Sequence, residues 1–195
     1  MQLENIGKWK VFAIESGFFK LDGGAMMGSV PKVLWQETNP PDQLNRIDLS
    51  LRCLLVDDGE HVVLIESGIG DKNPDKFKKM FAIDHSQYTL SDTLYKYGYT
   101  DKDITHMILT HLHFDHSGGA LCYDESGALQ LTFPNAKYYV SKRNWDIGLN
   151  PSSRDQASYL IDNYQLLEDQ GLLELFDDNT QILDGISGYA VDGHT

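Results

Sequence analysis

Three histidines and an aspartate fall within six positions of the stretch THLHFDHSGG, residues 110–119, in a chain of 195 residues that holds only seven histidines. The stretch follows a short β-prone run, THMILT, so the backbone enters it extended. In extended chain, side chains two residues apart point the same way, and His111 and His113 therefore aim their imidazoles at one point. A zinc pair carried on a helix would need four-residue spacing, as in H-E-x-x-H, which is absent here. Asp115 and His116 follow at once, and Ser117-Gly118-Gly119 allows a tight turn into a helix start. Three imidazoles and a carboxylate form a donor set that suits zinc or another first-row metal. The crowding reads as a metal site rather than a solvated loop. His61, His85 and His106 stand alone and read as solvated or hydrogen-bonded side chains.

The rest of the chain narrows the setting. Its length fits one domain with a sizeable core, and 41% hydrophobic with 23% charged residues is a globular balance. With 16 basic against 29 acidic residues the net charge is −13, a field that repels phosphate backbones and makes nucleic acid a poor partner. No run of about 18 apolar residues occurs, so no membrane span is expected. The first residues, MQLENIGKWK, lack a basic region followed by an apolar core, which argues against a secretory signal. Cys53 and Cys122 show no pairing pattern, and the expected setting is reduced and cytoplasmic.

Hydrophobic patterning outlines the elements. WKVFAIESGFFKLDGG reads as two short β-prone runs broken at Ser16-Gly17, followed by a loop too interrupted by Pro31, Pro40 and Pro41 for regular structure. RIDLSLRCLLVDDGEHVVLIESG reads as a hairpin whose second strand, 62–65, is continuously apolar and so buried on both faces. PDKFKKMF and TLSDTLYKYG read as helices, the second with Leu90, Leu94 and Tyr97 on one face. Beyond the histidines come a hairpin around Glu125-Ser126-Gly127, a strand in AKYYVS, a helical stretch over about 152–170, and strands in LLELF and ISGYAV. Hairpins with helices laid between them suggest an α/β (α+β) arrangement of stacked sheets covered by helices. No repeat or low-complexity linker marks a domain boundary.

THLHFDHSGG resembles the H-x-H-x-D-H signature of the metallo-β-lactamase fold superfamily. LDGGAMMGSVPKVLW and LIESGIGDK upstream, then TFPNAKYYVS and DGHT downstream, extend the likeness along essentially the whole chain, in order. Leu112 and Phe114 within the signature resemble the acyl-homoserine lactonase branch. The resemblance implies an αββα sandwich with two zinc ions at one edge of the paired sheets, other first-row metals being able to take the same donors. It assigns His111, His113 and His194 to the first metal, Asp115 and His116 to the second. Asp115 is then also the catalytic proton carrier. The implied activity is a metal-dependent hydrolase whose metal-bound hydroxide opens a lactone or similar carboxylic ester, a small molecule. A phosphotriester or thioester hydrolase on the same fold is an alternative, as is an inactive module binding a single metal. The family's bridging aspartate and final histidine have no counterpart by Thr195, so residues 1–195 are expected to be a single domain incomplete at its C-terminus. Glu66 stands in ESGIG where relatives commonly carry aspartate, which bears on its support of the metal loop. An early apolar group, Phe18, Phe19, Met26, Met27 and Trp35, could cover an acyl chain or simply pack the core.

Overall fold

The computed structural model describes residues 1–195. Strand β1 (Lys10–Asp22) pairs antiparallel with β2 (Arg46–Asp57) along its full length. The two runs expected there form one strand, because Ser16-Gly17 makes a β-bulge between Glu15 and Gly17 rather than a break. Gly17 takes φ 133, and a Cβ at that position would lie 2.5 Å from the ring of His85. The Ser16 hydroxyl donates to the Leu51 carbonyl at 3.1 Å, so the bulge is anchored to the neighbouring strand. The proline-rich loop that follows β1 holds two single-turn helices, α1 (Gly23–Met27) and α2 (Lys32–Trp35). Asp22 caps the first by accepting from the Ala25 N–H at 2.8 Å, and Trp35, 5% exposed, closes over Gly23.

Next in the chain come β3 (Val62–Ile65), α3 (Asp75–Met80), α4 (Leu90–Lys96) and β4 (His106–Ile108). They lead to the short helix α5 (Phe114–Ser117), the hairpin of β5 (Leu121–Tyr123) and β6 (Leu129–Leu131), and β7 (Lys137–Ser141). The last third holds α6 (Lys142–Leu149), α7 (Gln165–Asp169), β8 (Leu173–Phe176), and a hairpin of β9 (Thr180–Leu183) and β10 (Ile186–Gly188). The main sheet runs β1-β2-β3-β4-β7-β8. Its first three strands are antiparallel and β3, β4, β7 and β8 are mutually parallel. The C-terminal ends of the four parallel strands therefore lie along one edge, where open α/β sheets place their ligands.

Alternation along the strands sorts the core into two faces. Phe12, Ile14, Leu55, Leu64, Met107, Tyr138 and Val140 pack against α4, α6 and α7 through Leu94, Trp145 and Leu167. Val11, Val56, Val63 and Ile108 face the other way, against Ile182, Leu183 and Ile186 of the β9–β10 hairpin. Helices thus cover one face and a second β layer lies on the other, the mixed α/β arrangement that was expected. Leu64 is fully buried in a central strand, and Leu64→Ala is expected to cost about 2–5 kcal/mol of stability. Urea unfolding checks this, as a lowered midpoint at unchanged slope.

Two further elements differ from the sequence reading. The expected helix over about 152–170 is only a 3₁₀ turn at Ile161–Asn163 and the short α7, because the chain before it is committed elsewhere. The Ser152 hydroxyl bonds Asp155 at 2.7 Å, and Tyr159 pairs as an isolated bridge with His113. Helix α6 has no counterpart in the sequence reading, because its apolar residues Trp145, Ile147 and Leu149 fall at alternate positions, a spacing that does not single out a helix; Ser141 caps it by accepting from the Asn144 N–H at 3.2 Å. No helix is long and apolar enough to cross a membrane.

Candidate metal centre

Three parallel strands deliver the site from their C-terminal ends. β3 leads into Glu66, β4 into Thr110 and His111, and β7 into α6. Glu66 is buried and sits at φ 72, a left-handed conformation that non-glycine residues seldom adopt. There its carboxylate accepts two bonds, from the Thr110 N–H at 3.0 Å and from His116 Nδ1 at 2.9 Å. The second bond sets the tautomer of His116 and turns its Nε2 outward, to within 3.4 Å of Asp115 Oδ2. Glu66, noticed in the sequence only as a departure, is thus the residue that orients His116.

The glycines of the motif serve a purpose other than a turn. α5 begins at Phe114, ahead of them, and Gly118 has ordinary helical angles, φ −60 and ψ −33. What requires glycine is close approach. A Cβ on Gly118 would run into the Ile69 carbonyl, one on Gly119 into the Ser67 carbonyl, and one on Gly70 would lie 2.6 Å from the Gly118 oxygen. The ESGIG and HSGG backbones press together, tied by Ser67 N–H and Oγ donating to the His116 carbonyl at 2.9 and 2.8 Å. Lys72 completes the clamp by donating to the Gly118 carbonyl; burial lowers its ammonium pKa to about 8.

The histidines converge. One ligand atom each from His111, His113 and His194 lies within 4.8 Å of the others, and the same holds for Glu66, His111 and His116. Ring centroids stand 4.0 Å apart for His111 and His116, 4.6 Å for His111 and His113, and 4.9 Å for His111 and His194. The structure thus brings His194, near the end of the sequence, beside the motif histidines. Asp115 lies outside both triplets of donors but shares the point that His116 faces.

The chemistry of these donors fits a metal ion. His111 Nε2 is buried and has no hydrogen-bond partner in the protein, an omission that costs about 1–3 kcal/mol when nothing fills it. Burial, together with the neighbouring His116, His113 and His194, pushes the His111 pKa down to about 2. Burial and His194 lower that of His113. Both shifts favour the neutral imidazole, the form that ligates. His116 differs: burial opposes its charge, but the bond and charge of Glu66 with Asp115 raise its pKa.

The remaining candidates divide. Phe19 and Trp35 are core residues, 3% and 5% exposed, and Phe18 packs edge-on against Tyr88, while Met26 is 44% exposed. None of the five early apolar residues lines the cavity of about 540 Å³ that opens beside His111 and His194, whose apolar wall includes Ile65, Ile108, Ile147 and Phe176. His61 and His106 bond to Asp58 and Thr105 and pack edge-to-face at 5.4 Å, far from ligation. Sequence reasoning missed Asn144, whose side chain accepts from the Leu112 N–H at 2.8 Å between the two motif histidines. No local pattern could have revealed a partner so distant in the chain.

The structure resembles a probable metal-dependent hydrolase from Staphylococcus aureus, with a TM-score of 0.82 and 30% identity over 94% of this chain and 64% of that protein. It also superposes on the dizinc quorum-quenching lactonase AidC, solved with a product bound, at a TM-score of 0.67 and 24% identity over 94% of this chain and 63% of that one. An N-acyl homoserine lactone hydrolase with its product at the catalytic metal centre gives 0.66 and 18%, covering 95% of this chain and 66% of the other. This chain spans less than two thirds of the length of each. No curated protein sequence matches it. Residues 48–169, more than half of the chain and including the whole H-x-H-x-D-H motif, match the metallo-beta-lactamase superfamily, and the chain belongs to that family.

Proposed function

We propose that this chain, folded as one domain, carries the active site of a dinuclear zinc hydrolase that opens a lactone or a similar carboxylic ester. The observation that carries the reading is the convergence of His111, His113 and His194 around an imidazole nitrogen that is buried and unpartnered. Those three side chains would hold one ion, and Asp115 with His116 would hold the other. When bound, the pair supplies Lewis acidity and a nucleophile available at neutral pH. Around it the chain's own groups have separate tasks. Glu66 holds His116 in one tautomer through its Nδ1, so that Nε2 faces the site. Asp115, whose side chain is 20% exposed, is placed to accept a proton from one side and release it on the other. No serine or cysteine nucleophile is needed, and ESGIG is not a G-x-S-x-G elbow.

Two considerations favour a carboxylic ester over other bonds. The solved relatives with bound product are lactone hydrolases, and the apolar wall beside His111 suits an uncharged substrate with an apolar arm. A net charge of −13 works against a nucleic acid. The cysteines are both free, in keeping with a reducing cytoplasm. The test is turnover by the zinc-loaded chain of an acyl lactone, an aryl phosphotriester and a glutathione thioester, with zinc content measured in the same sample. Two zinc equivalents and preference for the lactone are expected. An inert lactone with either other substrate turned over would replace the substrate class, and one equivalent without activity would identify a metal-binding module.

A further inference from the structure

The donors of the first metal position come from two places that share no strand: His111 and His113 follow β4, while His194 follows β10. One side chain touches both. Asn144, 4% exposed in the first turn of α6, accepts from the Leu112 N–H at 2.8 Å through Oδ1. Its Nδ2 donates to Thr195 Oγ1 at 3.0 Å and to the Tyr159 hydroxyl at 3.3 Å. Both amide hydrogens and the carbonyl are used, so its orientation leaves nothing unsatisfied. Each partner adjoins a donor. Leu112 lies between His111 and His113, Thr195 follows His194, and Tyr159 stands edge-on to His113 at 4.8 Å while pairing with its backbone.

The base from which Asn144 reaches is rigid. Ser141 caps α6 at the Asn144 N–H, and Trp145 is 2% exposed in the main core. The preceding residue, Arg143, donates to Asp192 at 2.7 Å, two positions before His194, and also to Asp178. The start of α6 therefore grips the His194 segment through two neighbouring side chains, one charged and exposed, one neutral and buried.

We propose that Asn144 is the positioning residue of this centre, setting the separation of His194 from His111 and His113 before an ion arrives. The inference rests on reading those three histidines as one metal position. Three imidazoles held in place lose little freedom on binding, whereas a His194 segment tied down only by the ion would draw that ordering cost from its affinity.

The experiment measures zinc affinity by competition with a chromophoric chelator, together with the visible spectrum of the cobalt(II)-loaded chain and melting of the metal-free chain. Asn144→Leu removes all three bonds at similar volume and is expected to weaken zinc about 10–100-fold and alter the cobalt bands. Asn144→Asp keeps the acceptor for Leu112, and both hydroxyls can turn to donate to it, so it is expected to restore most of the affinity. Thr195→Val, at an exposed residue, deletes the bond of Asn144 to the His194 segment, together with the Thr195 hydroxyl's contact with Tyr159, and leaves the Leu112 bond of Asn144 in place. It is expected to weaken zinc and change the cobalt spectrum without moving the melting of the metal-free chain. A folded Asn144→Leu with wild-type affinity and spectrum overturns the proposal. Should that variant fail to fold, a Thr195→Val chain indistinguishable from wild type overturns it equally. A wild-type chain that binds no zinc sinks both this inference and the metal reading beneath it, whereas unaffected variants of a zinc-binding wild type sink this inference alone.

Discussion

His111→Leu is expected to abolish the thermal stabilisation that zinc confers while leaving the metal-free protein as stable as the wild type, or more so. The asymmetry follows from the position of His111 in both groups of converging donors. Without its Nε2, the proposed position of His111, His113 and His194 keeps only two of its three donors, and the hydrolysis proposed for the chain loses the group that makes its nucleophile. An ion that binds only the folded state stabilises it by about 4 kcal/mol at a free concentration 1,000 times its Kd. For a chain of this size that is roughly 8–16 °C in Tm, and the variant should lose all of it. In chelator the balance reverses. The wild type then keeps a buried imidazole nitrogen with no partner, and a leucine of similar volume removes that penalty. Scanning calorimetry of both proteins, with zinc and with chelator, reads the two effects separately. A zinc-dependent rise in Tm that survives in His111→Leu would show that the ion binds elsewhere.

How far the sequence alone reached depended on the range of the interactions involved. His111 and His113 were readable as a convergent pair because two-residue spacing in extended backbone is a local property. The hairpin of β2 and β3 and the helix α4 were readable for the same reason, from alternation and from a stripe of apolar residues. The role of Glu66 was only half visible. Its position beside ESGIG could be noticed, but its left-handed backbone and its bond to His116 depend on the fold. The stretch 152–160 was misread because its local preferences are weak. Tertiary pairing then decided its shape, with the Phe114 N–H donating to the Ser158 carbonyl at 2.9 Å and Tyr159 bridging His113. Asn144 had no local signature at all, since its three partners are contributed by three separate segments. The candidate donors were therefore visible in the sequence, and the groups that aim them were not.

Gly118→Ala tests the same distinction at the backbone, and here two physical effects predict opposite signs. Gly118 has right-handed helical angles, so alanine could adopt them without strain. By restricting the unfolded chain, the substitution would then stabilise by about 0.4–1 kcal/mol. Close packing predicts the reverse. The added Cβ meets the carbonyl, carbon and Cα of Ile69, all backbone, which cannot swing aside as the tip of a flexible side chain can. Overpacking of this kind costs about 1–3 kcal/mol or more, and it outweighs the entropic gain. Relief requires the HSGG and ESGIG loops to part. Parting them stretches the two Ser67 bonds to the His116 carbonyl and the Lys72 bond to Gly118, and it pulls Glu66 away from His116. The expected result is a lower Tm together with weaker zinc binding, two losses with a single cause. Gly127→Ala is the control, because Gly127 lies in a hairpin turn at φ 82 with open space around it. There alanine meets only the left-handed backbone penalty of roughly 1–2 kcal/mol and leaves zinc affinity unchanged. If Gly118→Ala raised the Tm and kept wild-type zinc affinity, the two loops would not be in the contact described, and the close approach would not be what requires glycine there.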